Sequence, residues 1–142
     1  MRKQYHFRKV ENDTYIWDVD RLVEITQSFQ VRQVPLSDIK ELDEAYWYPD
    51  AHPTTQDIIA HMQLIQEADL AYPIILCAQG RLMDGMHRVA KAKILGKASI
   101  SAVQFDTNPQ PDFINIHEGD LIGFVAQRFE MQSAPNWAKF KA

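Results

Sequence analysis

The sequence predicts an α/β domain of the mixed, α+β kind: a small mixed sheet with flanking helices, plus a helical addition at the C-terminal end. Three observations predict it. Residues 73–105 change hydrophobic period twice, from short apolar runs of strand length to helical spacing and back to a β-rich run. Residues 54–69 carry a separate helical pattern. The length of 142 residues suits one domain, 1–142, with room for a sizeable core, and 46% hydrophobic against 24% charged residues is ordinary for a globular chain.

Taken in order, residues 1–13 mix Arg2, Lys3, Arg8 and Lys9 with Tyr5 and Phe7, as in a strand or arm with one solvated face. Leu22, Ile25 and Phe29 recur at helical spacing behind Asp18, a suitable N-cap. Val31, Arg32, Gln33 and Val34 read as a strand ended by Pro35, and Ser37 or Asp38 opens a helical turn through Leu42. Residues 43–53 form a loop with three consecutive aromatics, Tyr46, Trp47 and Tyr48. Thr54 and Asp57 then set a near capping box. The helix they open has Ile58, Met62 and Ile65 as its expected buried stripe and ends at Asp69.

Residues 73–78 are a short apolar strand closed at Gln79-Gly80, and Arg81 begins a hairpin strand that Asp84-Gly85 interrupts. Val89, Ala90, Lys93 and Ile94 keep helical spacing up to Gly96, a C-cap residue, and Ile100 and Val103 mark the next strand. Residues 106–112 are a turn-rich break. Beyond it Phe113, Ile114, Ile116, Leu121, Ile122, Phe124, Val125 and Phe129 make an apolar tail, the C-terminal addition 112–142. Gly119-Asp120 is expected to open a helix through Glu130, with Trp137 and Phe140 anchoring the end.

Composition narrows the function. A net charge of −4 argues against wrapping nucleic acid over a broad surface. Cys77 is alone, so the chain holds no internal disulfide, and its apolar strand makes it core filler. No apolar run reaches membrane-spanning length and the first residues lack a signal-like apolar stretch, so a cytoplasmic protein without membrane contact is expected.

Gly85 lets the backbone approach a ligand closely, and the helix behind it starts with unpartnered N–H groups at a positive dipole end. Phosphate suits that position. His87 and Arg88 lie in the first turn, where an anion would compensate their charge. The alternative is that Arg88 pairs with Asp84 while His87 caps or packs. In the aromatic loop, Trp47 can stack on a base or wall a pocket and Glu44 can act as general base. Equally, the aromatics can plug the core and the acids stay solvated. His52 and His61 are not at metal-ligand spacing and read as surface or satisfied histidines, and His117-Glu118 as a solvated turn. Charge is uneven. Residues 41–80 carry Glu41, Asp43, Glu44, Asp50, Asp57, Glu67 and Asp69 without a Lys or Arg, whereas residues 81–97 carry Arg81, Arg88, Lys91, Lys93 and Lys97 against Asp84. Such a pair of regions can hold a nucleotide with magnesium or attract each other across the fold.

Asp84-Gly85-Met86-His87-Arg88, followed by Val89-Ala90-Lys91-Ala92-Lys93-Ile94-Leu95-Gly96, resembles the core motif of the ParB/sulfiredoxin superfamily. Val34-Pro35-Leu36-Ser37-Asp38-Ile39 resembles its opening strand and turn, so the resemblance covers residues 31–105. Members include chromosome-partitioning CTPases, sulfiredoxin and free serine kinase. The resemblance implies a small mixed domain whose helix start, at Gly85, Met86, His87 and Arg88, holds nucleotide phosphates. Met86 stands where sulfiredoxin has its reactive cysteine, and a thioether cannot be the nucleophile. Met86 and His87 also replace the Glu and Arg of partitioning proteins. The Asp-Gly-x-His-Arg form is most similar to free serine kinase, which has a second His in place of Met86.

The resemblance thus implies a protein that binds ATP, ADP or CTP with magnesium and transfers phosphate to a small hydroxylated acceptor. Asp84 would orient Arg88 or hold magnesium, Glu44 would be the base and Trp47 a pocket wall. The alternatives are a non-catalytic ligand-binding or regulatory module and a DNA-associated partitioning-type protein. The 37 residues after Phe105 leave no room for a helix-turn-helix domain in this chain alone. An oligomer is compatible with each.

Overall fold

The structure, a computed structural model, describes residues 3–116. They form a mixed α+β domain of two sheets and three helices. The chain opens with a hairpin of β1 (Tyr5–Val10) and β2 (Asp13–Asp18), paired antiparallel from Tyr5 opposite Asp18 to Val10 opposite Asp13. Asp18 then caps α1 (Val19–Thr26), its carboxylate accepting from the Asp20 N–H at 2.9 Å.

After β3 (Arg32–Pro35), Leu36–Asp38 and Lys40–Asp43 form two single-turn 3-10 helices. The expected capping box opens α2 (Thr55–Glu67): the Asp57 N–H donates to Thr54 Oγ1 at 3.1 Å, and the Thr54 N–H to Asp57 Oδ2 at 2.9 Å. Next come β4 (Ile74–Leu76), β5 (Leu82–Asp84), α3 (Met86–Ile94) and β6 (Ser99–Gln104).

The second sheet has the order β3-β6-β4-β5, with β6 antiparallel to β3 and parallel to β4. All four of its strands fall within residues 31–105. Strand alternation splits its side chains between two cores. On one face Ile74, Leu76, Leu82, Ile100 and Ala102 meet Met86, Val89 and Ala92 of α3. On the other, Ile75, Met83 and Val103 meet Leu22 of α1, Trp17 and the buried thiol of Cys77.

Two expectations are corrected. Phe113 and Ile114, read only as the start of the apolar C-terminal addition, belong to the body of the fold instead: they form β7 (Phe113–Ile114), which pairs with β2 and completes the sheet β1-β2-β7. The remainder of the expected C-terminal helical addition, from His117 to Ala142, lies outside the described residues. The stripe of α2 is also turned. Ile58 and Met62 are about half exposed, whereas His61 is the buried residue of the helix. The cause is position: α2 packs chiefly against α3 and not over a sheet. The face it buries is the one whose polar groups find partners there. Among the described residues, no helix is long and apolar enough to cross a membrane.

Candidate functional site

The junction of β5 and α3 is built on Gly85, which takes φ +115°. A Cβ there would stand 2.6 Å from Ile74 Cγ2 and 2.8 Å from Arg88 Nη2, so only glycine fits. No side chain caps the start of α3, and its opening N–H groups have no partner within the helix. Arg88 folds back over the glycine and donates from Nη2 to Asp84 Oδ2 at 2.7 Å. This is the pairing set out above as the alternative to a bound anion. It leaves Arg88 Nε buried with no partner among the described residues. Met86 points into the core, so its contribution at the helix start is backbone.

His87 turns the other way, under the aromatic loop. Its Nε2 lies 2.9 Å from Nδ1 of His61, the buried histidine of α2, and the two rings share a hydrogen bond. The Trp47 indole stacks on both imidazoles, with centroid distances of 4.2 Å to His61 and 4.8 Å to His87. Tyr48 meets the His61 ring edge-on at 5.6 Å. Tyr46 is partly buried; desolvation of its hydroxyl, with the charges of Asp84 and Glu41 adding to it, pushes its phenol far above the usual range, so it stays protonated. The Trp47 indole N–H and the Tyr48 hydroxyl are buried without partners among the described residues.

Glu44 is held elsewhere. Both its carboxylate oxygens accept from Arg81 Nη2 at 2.8 Å, while Arg81 Nε pairs with Glu41 at 3.0 Å. The bond to Glu44 is the main reason that the Arg81 guanidinium is raised above its ordinary pKa. Glu41 is buried and also accepts from the Leu82 N–H at 2.9 Å.

Two open clefts result. One, of about 620 Å³, is lined by Asp84, Gly85, His87 and Arg88 together with Asp20, Glu67, Asp69 and Tyr72. The other, of about 660 Å³, is formed by residues 44–53 and includes Glu44, Trp47 and His52. The sequence-predicted residues are therefore divided. Asp84, Gly85, His87 and Arg88 come together at one cleft, Glu44 and Trp47 at the other. The Trp47–His87 stack joins the two walls.

Glu41 escaped sequence reasoning, and His61, read as a surface or satisfied histidine, is the satisfied kind, buried and bonded to His87. His61 shares a helical stripe with Leu64 and Ala68, and that spacing was the one signal of an inward face. Among the described residues no group of three or more metal-ligating side chains gathers. No protein-family model matches this chain, and neither does any curated protein.

Proposed function

We propose that this chain is a phosphate- and nucleotide-binding protein, with a domain similar to the ParB/sulfiredoxin fold and a cytoplasmic role. Its site is the cleft at the start of α3. The observation that carries it is the left-handed Gly85 before an uncapped nine-residue helix, with the Arg88 guanidinium beside it and Arg88 Nε buried and unpartnered. Backbone N–H groups, the helix dipole and a guanidinium are what a phosphate group needs. Asp20, Glu67, Asp69 and Asp84 line the same cleft. They supply oxygen ligands of the kind magnesium takes one or two at a time, the rest coming from phosphate and water. ATP, ADP or CTP with magnesium fits this donor set.

The test is calorimetric titration of the wild type and Arg88→Ala with ATP, ADP and CTP in magnesium. Loss of a charge-assisted bond of about 1.5–3 kcal/mol predicts binding weakened roughly 10- to 100-fold in the variant. Equal affinity in both would remove Arg88 from the site. Absence of binding by the wild type would reject the reading.

A second reading, phosphate transfer to a small hydroxylated acceptor, is favoured by the stack of Trp47 on His87. It sets the aromatic cleft holding Glu44 directly behind the phosphate cleft. An acceptor seated there would have Glu44 at hand as base once its contact with Arg81 opened. Incubation with ATP or ADP, magnesium and a panel of amino acids and sugars checks it, with Glu44→Gln alongside. Nucleotide binding without phosphorylated product would leave the non-catalytic module. Full turnover by Glu44→Gln would discharge that residue from the role.

A further inference from the structure

The imidazoles of His61 and His87 share one hydrogen bond, Nδ1 to Nε2 at 2.9 Å, and both residues are buried. Their centroids stand 5.2 Å apart, too close for the rings to lie on opposite faces of the Trp47 indole, which stacks on them at 4.2 and 4.8 Å. One face of the indole therefore roofs the whole pair. Two neutral rings make this bond with one proton in it. A further proton on the outer nitrogen of the donor ring, His61 Nε2 or His87 Nδ1, leaves the bond intact, because the other ring still accepts. That charge lies under the electron-rich indole face, within reach of a cation–π contact. A second added proton would set N–H against N–H and break the bond. The pair is thus suited to a single positive charge.

We infer, on the basis of the phosphate site proposed above, that a phosphate-bearing ligand at the start of α3 draws one proton from solvent onto the His61–His87 pair, so that nucleotide binding is proton-linked. His87 is the second residue of α3 and lines the phosphate cleft. Without a ligand, burial and the positive helix end both oppose a charge on its ring. A bound phosphate reverses that field. The other charges about the pair are already committed. Asp57, one turn before His61, closes the capping box. Arg88 pairs with Asp84, and Arg81 with Glu41. Lys91, one turn after His87, donates to the carbonyls of Gln66 and Ala68. In the loop, Tyr46 stays a neutral phenol, and the Tyr48 phenol, edge-on to His61, is raised by desolvation and then by the Asp57 charge. The charge that changes on binding is the ligand's. Binding favours the charged pair, so affinity is highest below the midpoint of the free pair and falls as pH rises to the midpoint of the bound one.

Calorimetric titration of the full chain with ADP and magnesium, in buffers of different ionisation enthalpy, counts the protons taken up. Above about pH 7 the phosphate's own second proton, with a pKa of about 6, is already off. From there to about pH 8.5 the wild type is expected to take up at most about one proton per ADP, and to lose affinity by up to about tenfold per pH unit. The double variant His61→Gln, His87→Gln, its folding checked by circular dichroism, should show neither effect. Imidazole nitrogen resonances of the wild type, which depend on no variant, should show the pair's midpoint rising when ADP binds. ADP binding without proton uptake and with unshifted midpoints would overturn the inference and leave the phosphate site standing. So would a pair already charged in the free protein at neutral pH, or uptake that persists in the double variant. No binding of ADP by the wild type would reject the site and the proton linkage together.

Discussion

Arg81 grips two carboxylates whose surroundings differ. Glu41 has a side chain 3% exposed and also satisfies the Leu82 N–H, whereas that of Glu44 is 45% exposed. Removing Glu41 strands a buried amide and a half-buried guanidinium, so Glu41→Ala is expected to cost about 3 kcal/mol or more in urea unfolding. Glu44→Ala should cost less than about 1 kcal/mol, the usual range for an exposed pair. Equal costs would refute the assignment of Glu41 as the structural acid. His6 allows a pH test. Burial, with a smaller contribution from the Arg8 charge, lowers its folded pKa from 6.5 to about 3. Between those values the unfolded chain binds the extra proton and the folded one does not. The stability from the neutral ring is therefore complete above pH 6.5 and lost as pH falls toward 3, by up to about 1.4 kcal/mol per pH unit. His6→Phe should flatten the slope of stability against pH in that window; an unchanged slope would count against it.

At the scale of elements, the start of α3 was legible because its signals are local. A glycine between a strand pattern and a helix pattern defines the junction whatever packs upon it, and Gly85, His87 and Arg88 do meet at one cleft. Gly85→Ala tests the backbone requirement: left-handed strain and the clash with Ile74 Cγ2 together should cost about 3 kcal/mol or more in urea unfolding. A loss under about 1 kcal/mol would mean that the junction relaxes freely. Which way α2 faces was not legible. The stripe of Ile58, Met62 and Ile65 gives a period but names no neighbour. The face that was buried carries His61, whose partner His87 lies 26 residues further on. Long-range polar pairs of this kind leave no periodic trace. For the same reason Glu44 could be read from the sequence as a base or as a solvated acid, while Arg81, 37 residues away, in fact holds it.

For the whole molecule, individual strands were legible and their partners largely were not. Nothing in the pattern of residues 99–104 says that this strand inserts between β3 and β4, or that Phe113 returns to the first hairpin. Register depends on faces that exist only once both sheets are assembled. A chain cut after Gly96 tests how far the fold depends on the inserted strand. It keeps every described helix but loses β6 and β7, and should show no cooperative transition in urea; a sharp one would mean that the elements before Gly96 suffice without either strand. The central seat of β6 also sets a timetable. Translation at roughly 5–20 residues per second leaves β3 and β4 without their common neighbour for seconds after each has been made. Until β6 has emerged and inserted, their bare edges are open to strands of other nascent chains, so the newly made protein has its greatest need of protection before that strand is seated.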